Sequence, residues 1–138
     1  MLNSKNLSYV LHSEKKRLTD KTDVYLVDTY GESKVFYAMS KVVFLGGSLV
    51  FKGGQNPLEP IRYGCYIVQG KHTFNFTEIY NMLKKKRLSF EAKNFLELRN
   101  LIHSLFIKSK NNRKKINKFK KIGKNILNQN YAEIKVLI

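Results

Sequence analysis

The sequence has 138 residues, with 26 lysine and arginine residues against 10 aspartate and glutamate residues, which gives a formal net charge of +16. Hydrophobic residues make up 43% of the chain and aromatic residues 12%, enough to bury a core, so a wholly disordered basic tail is excluded. No run approaches the roughly 18 apolar residues of a membrane-spanning helix, and residues 1–16 lack the apolar stretch of a signal peptide. These properties predict one soluble, cytosolic domain.

Short apolar runs alternate with helical patterns through the first two thirds of the chain. Near-continuous apolar runs are typical of parallel strands that are covered on both faces. The predicted strands are residues 7–11, 24–27, 42–45, 66–68 and 88–91. The predicted helices between them are residues 32–40, 57–63 and 76–86. This alternation predicts βαβ units with right-handed crossovers, and therefore a doubly wound, parallel α/β fold.

The C-terminal part is predicted to be helical, because two apolar stripes follow helical spacing. The first stripe comprises Leu98, Leu101, Ile102, Leu105 and Phe106. The second follows a polar break at residues 109–112 and comprises Ile116, Phe119, Ile122, Ile126 and Leu127.

The positive charge is concentrated in residues 84–124, which hold 15 lysine and arginine residues and only two acidic residues. One interpretation is a surface that binds nucleic acid or an anionic membrane; the other is a lysine-rich face that is merely solvated. Lysine outnumbers arginine 21 to 5, and arginine is the residue that suits bidentate recognition of phosphates and bases. The composition therefore favours the solvated face and disfavours a nucleic-acid partner.

Cysteine and histidine are too few for a metal centre. The single cysteine, Cys65, excludes an internal disulfide and a cysteine-rich zinc site, and we expect it to be a small core residue. The three histidines lack clustered acids, so no metal site is predicted. His12 and His103 have no companions in the sequence that suggest a site.

The segment FLGGSLVFKGGQNPLEP, residues 44–60, is the most informative for chemistry. A predicted strand ends at Leu45, and a helix opens with Asn56 as its N-cap and Pro57 at its first position. The loop between them frees backbone N–H groups that favour a phosphate or carboxylate, at the sheet edge where α/β proteins bind ligands. The candidate loop contacts are Gly46, Gly47, Ser48, Gly53 and Gly54.

Glu59 has two possible roles. Three positions after the cap, its carboxylate could fold back onto the Asn56 N–H as a capping box, which the spacing alone favours. It could instead accept hydrogen bonds from two neighbouring hydroxyls of a ribose, because a carboxylate has two acceptor oxygens.

Two further loops follow predicted strands. The segment DTYGE, residues 28–32, follows the second strand, and we expect Glu32 in the first turn of the next helix. His72, in the segment GKHTFNF at residues 70–76, could contact a ligand at the same edge, although a loop histidine is more often simply exposed.

Five blocks together resemble the carboxyl-terminal domain of 3-deoxy-D-manno-octulosonic acid (Kdo) transferases. They are DTYGE (28–32), FYA (36–38), FLGGSLV (44–50), GGQNPLEP (53–60) and GKHTFNF (70–76). Their order and spacing agree with the family over roughly residues 7–138. The resemblance implies a GT-B glycosyltransferase, in which a Rossmann-like C-terminal domain holds the nucleotide-sugar donor.

The resemblance also implies a reaction. Enzymes of this family transfer Kdo from CMP-Kdo to a lipid A precursor at the cytoplasmic face of the bacterial inner membrane, with inversion and without a metal or other cofactor. The positions that contact the CMP part of the donor match Tyr30, Gly31, Glu32, Asn56, Pro57, Leu58 and Glu59. For Glu59, the resemblance favours the ligand role over the capping box.

The sequence departs from the family pattern at several positions. Gln55 replaces the usual histidine, Lys71 replaces the usual proline, and Ser33 replaces a frequent leucine. Residues 1–138 are expected to be an N-terminally truncated donor domain, lacking the acceptor domain with its general-base glutamate. No catalytic residue is therefore assigned, and this chain alone is expected to be inactive. A GT-B donor domain for another nucleotide sugar and a non-enzymatic basic module are the alternatives.

Overall fold

The computed structural model describes residues 6–108, which form five strands and four α-helices. The strands are β1 Tyr9–Leu11, β2 Val24–Leu26, β3 Val42–Phe44, β4 Tyr66–Gln69 and β5 Ser89–Glu91. The helices are α1 Ser33–Met39, α2 Leu58–Arg62, α3 Thr77–Lys85 and α4 Phe95–Lys108. The chain divides after Ser33 into two compact units, which are taken one at a time below.

The first unit contains a parallel pair of strands. β1 pairs with β2 in a register that places Tyr9 beside Val24 and Leu11 beside Leu26. A short 3-10 turn, His12–Glu14, follows β1 directly. Because the two strands are parallel, the residues that follow β1 and those that follow β2 leave the sheet at the same edge.

The second unit contains a parallel sheet with the strand order β3-β4-β5. Neighbouring parallel strands need crossover connections, and α2 and α3 lie in those connections. The central strand β4 is buried along its whole length, which explains the continuous apolar run in its sequence. The largest fully buried apolar side chains around it are Tyr80, Ile61, Ile67 and Leu83.

Cys65 lies in this core, as expected. It is fully buried, and its thiol donates weak hydrogen bonds to the main-chain oxygens of Tyr37, at 3.2 Å, and Ser40, at 3.4 Å. Burial raises the pKa of Cys65 to about 11, so the thiol stays protonated at neutral pH.

The predicted α/β class with parallel strands is confirmed, and all five predicted strands form. The strands are divided between a two-stranded and a three-stranded sheet. Helix α4 contains the first C-terminal stripe, with Leu105 buried and three of its other members packed against the core. The second stripe and the basic residues beyond position 108 lie outside the described residues. No helix within residues 6–108 is long and apolar enough to cross a bilayer.

Candidate functional site

The glycine-rich loop, residues 46–54, connects the end of β3 to the approach to α2. Gly47, Gly53 and Gly54 have φ angles of 71°, 84° and 73°, in the left-handed region that favours glycine. The Gly54 N–H donates to the Gly47 carbonyl at 3.3 Å, which closes the loop on itself. Three of these four glycines are therefore explained by the turns that fold the loop back toward α2, whereas the φ of Gly46 is not in the left-handed region.

Ser48 ties this loop to the segment that follows β4. Its buried hydroxyl donates to the Leu45 carbonyl at 2.6 Å and accepts from the Gly70 N–H at 2.8 Å. The Ser48 carbonyl accepts from the His72 N–H at 2.9 Å. The Ser48 hydroxyl thus makes two hydrogen bonds within the protein, and its direct contact with a ligand stays a prediction.

The start of α2 carries four of the predicted site residues. The Asn56 carboxamide oxygen accepts from the Leu58 N–H at 2.9 Å, but the N-cap of α2 is Pro57 and the helix begins at Leu58, so the predicted cap at Asn56 and first helical position at Pro57 are each wrong by one residue. Pro57 is fully buried, whereas Asn56 is exposed.

Glu59 makes no capping box in the described part of the chain, because its carboxylate has no hydrogen bond to the Asn56 N–H. The side chain is half-buried and lines a small open cavity of about 220 Å³ together with Lys34, Arg62 and Tyr63. Burial raises the pKa of the neighbouring Tyr37, and the negative charge of Glu59 raises it further. One carboxylate beside two cationic side chains can bind both hydroxyl groups and an anion.

In the first unit, the segment 28–32 places three predicted residues in different environments. Tyr30 is fully exposed, and Gly31 has a φ of 89° with no heavy atom within 4 Å of the position that a Cβ would occupy. Glu32 lies one residue before the start of α1, whereas the sequence predicted it in the first turn of that helix.

The Glu32 carboxylate is held by two side chains. The Thr29 hydroxyl donates to Oε2, and the His12 Nε2 lies 2.9 Å from the same oxygen. These interactions lower the pKa of Glu32, with the Thr29 hydrogen bond contributing most and partial burial opposing it. Glu32 is therefore ionised at neutral pH and suited to accept hydrogen bonds, not to act as an acid.

His12 contacts a predicted site residue, although the sequence analysis did not assign His12 to a site. Besides Glu32, its Nδ1 lies 2.6 Å from the Tyr25 hydroxyl, and the two rings meet edge-on at 5.6 Å. The expectation that His12 has no companions is wrong, because the parallel pairing of β1 with β2 brings together the residues that follow each strand. Similarly, Ser13 donates through its N–H, at 3.0 Å, and its hydroxyl, at 2.6 Å, to Asp28 and lowers the pKa of that carboxyl.

Groups of three or more potential metal ligands do not occur within the described residues. Another cavity, of about 430 Å³, lies between the end of β5 and α4 and contains none of the predicted site residues. In the second unit, the candidate site thus consists of the Glu59 carboxylate with two cations beside it and the glycine-rich loop; in the first unit, the candidate group is the Glu32 carboxylate.

Comparison with a solved structure indicates the class of protein to which the fold belongs. The crystal structure of the C-terminal CMP-Kdo binding domain of WaaA from Acinetobacter baumannii matches with a TM-score of 0.78 and 27% identity, over 88% of this chain and 63% of that one. The expected fold class, the Rossmann-like C-terminal half of a GT-B glycosyltransferase, is therefore confirmed. No protein-family model matches the chain.

The curated relatives that the chain matches include Kdo transferases. The 3-deoxy-D-manno-octulosonic acid transferase of Haemophilus influenzae is 41% identical over 83 residues, 60% of this chain and 19% of that enzyme. A bifunctional glycosyltransferase/methyltransferase of Fusobacterium nucleatum is 33% identical over 121 residues, 86% of this chain and 19% of that protein. The chain thus spans about a fifth of the length of these relatives, and the resemblance to Kdo transferases is confirmed.

Proposed function

We propose that this chain is the CMP-Kdo-binding part of a Kdo transferase, an enzyme that transfers Kdo from CMP-Kdo to a lipid A precursor. The observation that carries the proposal is the similarity of 88% of this chain to a CMP-Kdo binding domain, together with 41% identity to a Kdo transferase over 83 residues. Residues 1–138 form the donor domain in this proposal. The acceptor site and the general base come from the part of such an enzyme that this sequence does not span.

Two of the proposed donor contacts have a chemical rationale in the structure. Glu32 is an ionised acceptor, and Glu59 lines a polar cavity with Lys34 and Arg62. A carboxylate with two free lone pairs suits a ribose diol or the exocyclic amine of cytosine, and the two cations suit a phosphate. The remaining proposed contacts are Tyr30, Gly31, Asn56, Pro57 and Leu58, with the glycine-rich loop and His72 beside them.

An inverting transfer requires a base that is aligned with the acceptor hydroxyl, opposite the departing CMP. Glu32 and Glu59 are proposed donor contacts, so neither is assigned as that base. The chain alone then binds donor without catalysing transfer. The location proposed for the complete enzyme is the cytoplasmic face of the bacterial inner membrane, where the lipid acceptor is found.

A nucleotide titration followed by backbone amide shifts tests the proposal. CMP and CMP-Kdo should shift the amides of Gly31 and of residues 54–56, 58 and 59, and UDP should not. Preference for UDP would favour a donor domain for another nucleotide sugar. Absence of any shift at millimolar ligand, combined with salt-sensitive binding to DNA, would favour a basic nucleic-acid module instead.

A pair of matched variants sharpens the test. Glu59→Gln keeps the size of the side chain and removes its charge, and should weaken CMP-Kdo binding by about 10- to 100-fold if a charged hydrogen bond is lost. Glu78→Gln is the control, because Glu78 also lies in the first turn of a helix, α3, but is exposed and lines no described cavity. Equal affinities of the two variants for CMP-Kdo would show that Glu59 does not contact the donor.

A further inference from the structure

A line of polar contacts joins Tyr25 through His12 to Glu32. The Nδ1 of His12 lies 2.6 Å from the Tyr25 hydroxyl, and its Nε2 lies 2.9 Å from Oε2 of Glu32. The side chains of the second contact are partly exposed, His12 at 27% and Glu32 at 42%. Hydrogen bonds from Thr29 and, to a smaller extent, from His12 lower the pKa of Glu32. His12 therefore acts directly on a carboxylate that is a proposed donor contact.

The hydrogen in the contact between His12 and Glu32 belongs to the histidine. Glu32 is ionised at neutral pH, and a carboxylate has only acceptor atoms, so the Nε2 of His12 donates. The Tyr25 hydroxyl can both donate and accept, and it therefore matches Nδ1 whether the imidazole is neutral or charged. The arrangement keeps a hydrogen on Nε2 in either charge state.

The residues that follow β1 hold both ends of the segment 28–32. Ser13 donates to Asp28 at the start of the segment, through its N–H at 3.0 Å and its hydroxyl at 2.6 Å. His12 contacts Glu32 at the end of the segment. The proposed donor contacts of this segment are thus carried on a backbone that is fixed at two points.

The two oxygens of the Glu32 carboxylate have different surroundings. The Thr29 hydroxyl and the His12 Nε2 both meet Oε2, whereas Oε1 accepts no hydrogen bond from residues 6–108. A glutamate side chain that is free in solution samples many rotamers, and ordering such a side chain on binding reduces affinity. With Oε2 held, Glu32 offers Oε1 to a hydroxyl or amino group of a ligand with its rotamer already selected.

We propose that His12 is a positioning residue for the nucleotide-sugar donor: its Nε2–H holds Oε2 of Glu32, so that Oε1 accepts a hydrogen bond from a hydroxyl or amino group of the donor. This inference rests on the proposed function, because it takes Glu32 as a donor contact. It goes beyond that function by assigning a residue that is not itself a proposed contact. A contact that only stabilises the fold of the first unit is the alternative, and the experiments below separate the two roles.

Two amide variants of His12 test the position of the donating nitrogen. The side-chain nitrogen of glutamine corresponds in its distance from the main chain to Nε2 of histidine, whereas that of asparagine corresponds to Nδ1. His12→Gln should therefore retain the affinity for CMP-Kdo within about twofold, and His12→Asn should lower it by about 3- to 10-fold, the effect of one side chain that must be ordered on binding. Equal affinities of the two variants, both shown to be folded by their amide spectra, would overturn the proposal.

A second background shows whether His12 acts through Glu32. Once Glu32→Ala has removed the carboxylate, His12→Asn should cause no further loss of affinity, because the group that His12 positions is absent. The affinities are measured by amide shifts up to millimolar CMP-Kdo. A further loss as large as that in the unsubstituted chain would show that His12 contributes independently of Glu32, and would refute the assignment.

The unsubstituted chain provides a spectroscopic signature. In nitrogen NMR of the His12 ring, Nε2 should carry the hydrogen, and its resonance should shift when CMP-Kdo is added, because the charge of Glu32 is then shared with the donor. A hydrogen on Nδ1 alone, or an Nε2 resonance that does not move when the donor binds, would contradict the proposal.

Failure of this inference and failure of the proposed function give different results. If the unsubstituted chain binds CMP-Kdo and the glutamine and asparagine variants of His12 bind it equally well, the positioning role is lost and the proposed function stands. If the unsubstituted chain binds no CMP-Kdo, both are overturned.

Discussion

The contact between Gly70 and Ser48 predicts a large effect of a single methyl group. In Gly70→Ala, the new Cβ would overlap the main-chain carbonyl of Ser48 and lie 2.6 Å from the Leu49 nitrogen. Because these are backbone atoms, no change of rotamer relieves the overlap, and the two loops must move apart. Overpacking of this kind costs about 1–3 kcal/mol.

The separation would also break hydrogen bonds. The Gly70 N–H to the Ser48 hydroxyl, at 2.8 Å, and the His72 N–H to the Ser48 carbonyl, at 2.9 Å, both cross the contact. Each contributes about 0.5–1.5 kcal/mol. Gly70→Ala should therefore lower the free energy of unfolding by about 2–6 kcal/mol in a urea titration followed by circular dichroism.

Gly46→Ala is the matched control within the same loop. A Cβ on Gly46 meets no heavy atom within 4 Å, and its φ is not in the left-handed region. Its stability should change by less than about 1 kcal/mol, including the gain from a less flexible unfolded chain. If the two variants unfold at the same urea concentration, the loops are not held by this contact. Loss of amide-exchange protection at His72 in Gly70→Ala alone would confirm the mechanism.

Three further measurements test the structure. Ser89→Ala should raise the free energy of unfolding by about 1 kcal/mol, because the buried Ser89 hydroxyl has no partner among the described residues; a destabilised variant would contradict this. Cys65 should resist a thiol-specific reagent at pH 8 in the native state and react once urea unfolds the chain, since its pKa is raised to about 11. Ser13→Ala should raise the lowered pKa of Asp28 toward its ordinary value in a carboxyl NMR titration. A lowered pKa stabilises the fold above the ordinary carboxyl pKa, and that stability is lost as pH falls through the lowered value; the variant should therefore lose less stability in acid.

Features that depend on the local pattern of residues could be predicted from the sequence. The strand β4 was predicted from its continuous apolar run, which reflects burial on both faces. The turn at Asn56 was predicted to within one residue, because the hydrogen bond from the Leu58 N–H to the Asn56 side chain joins residues two positions apart. Both features leave a local signal in the sequence, which hydrophobic periodicity and turn chemistry detect directly.

Contacts between distant residues were not predictable in the same way. The pairing of His12 with Glu32 depends on the register of β1 against β2, and a single sequence contains no direct signal for that register. The glycines of the loop were chosen as ligand contacts, which stays a prediction, whereas the closest backbone approach is made by Gly70, which begins the GKHTFNF block but was assigned no contact. For Glu59, spacing favoured the capping box, and the structure places the side chain beside Lys34 and Arg62 instead.

The Tyr80 hydroxyl donates to the main-chain carbonyl of Gln55 at 2.8 Å, so α3 is attached to the segment before α2 without using the side chain at position 55. The side chain at position 55 is exposed and can therefore be exchanged while the segment keeps its path. A library randomised there should retain a high proportion of folded members, in contrast to one randomised at Gly70.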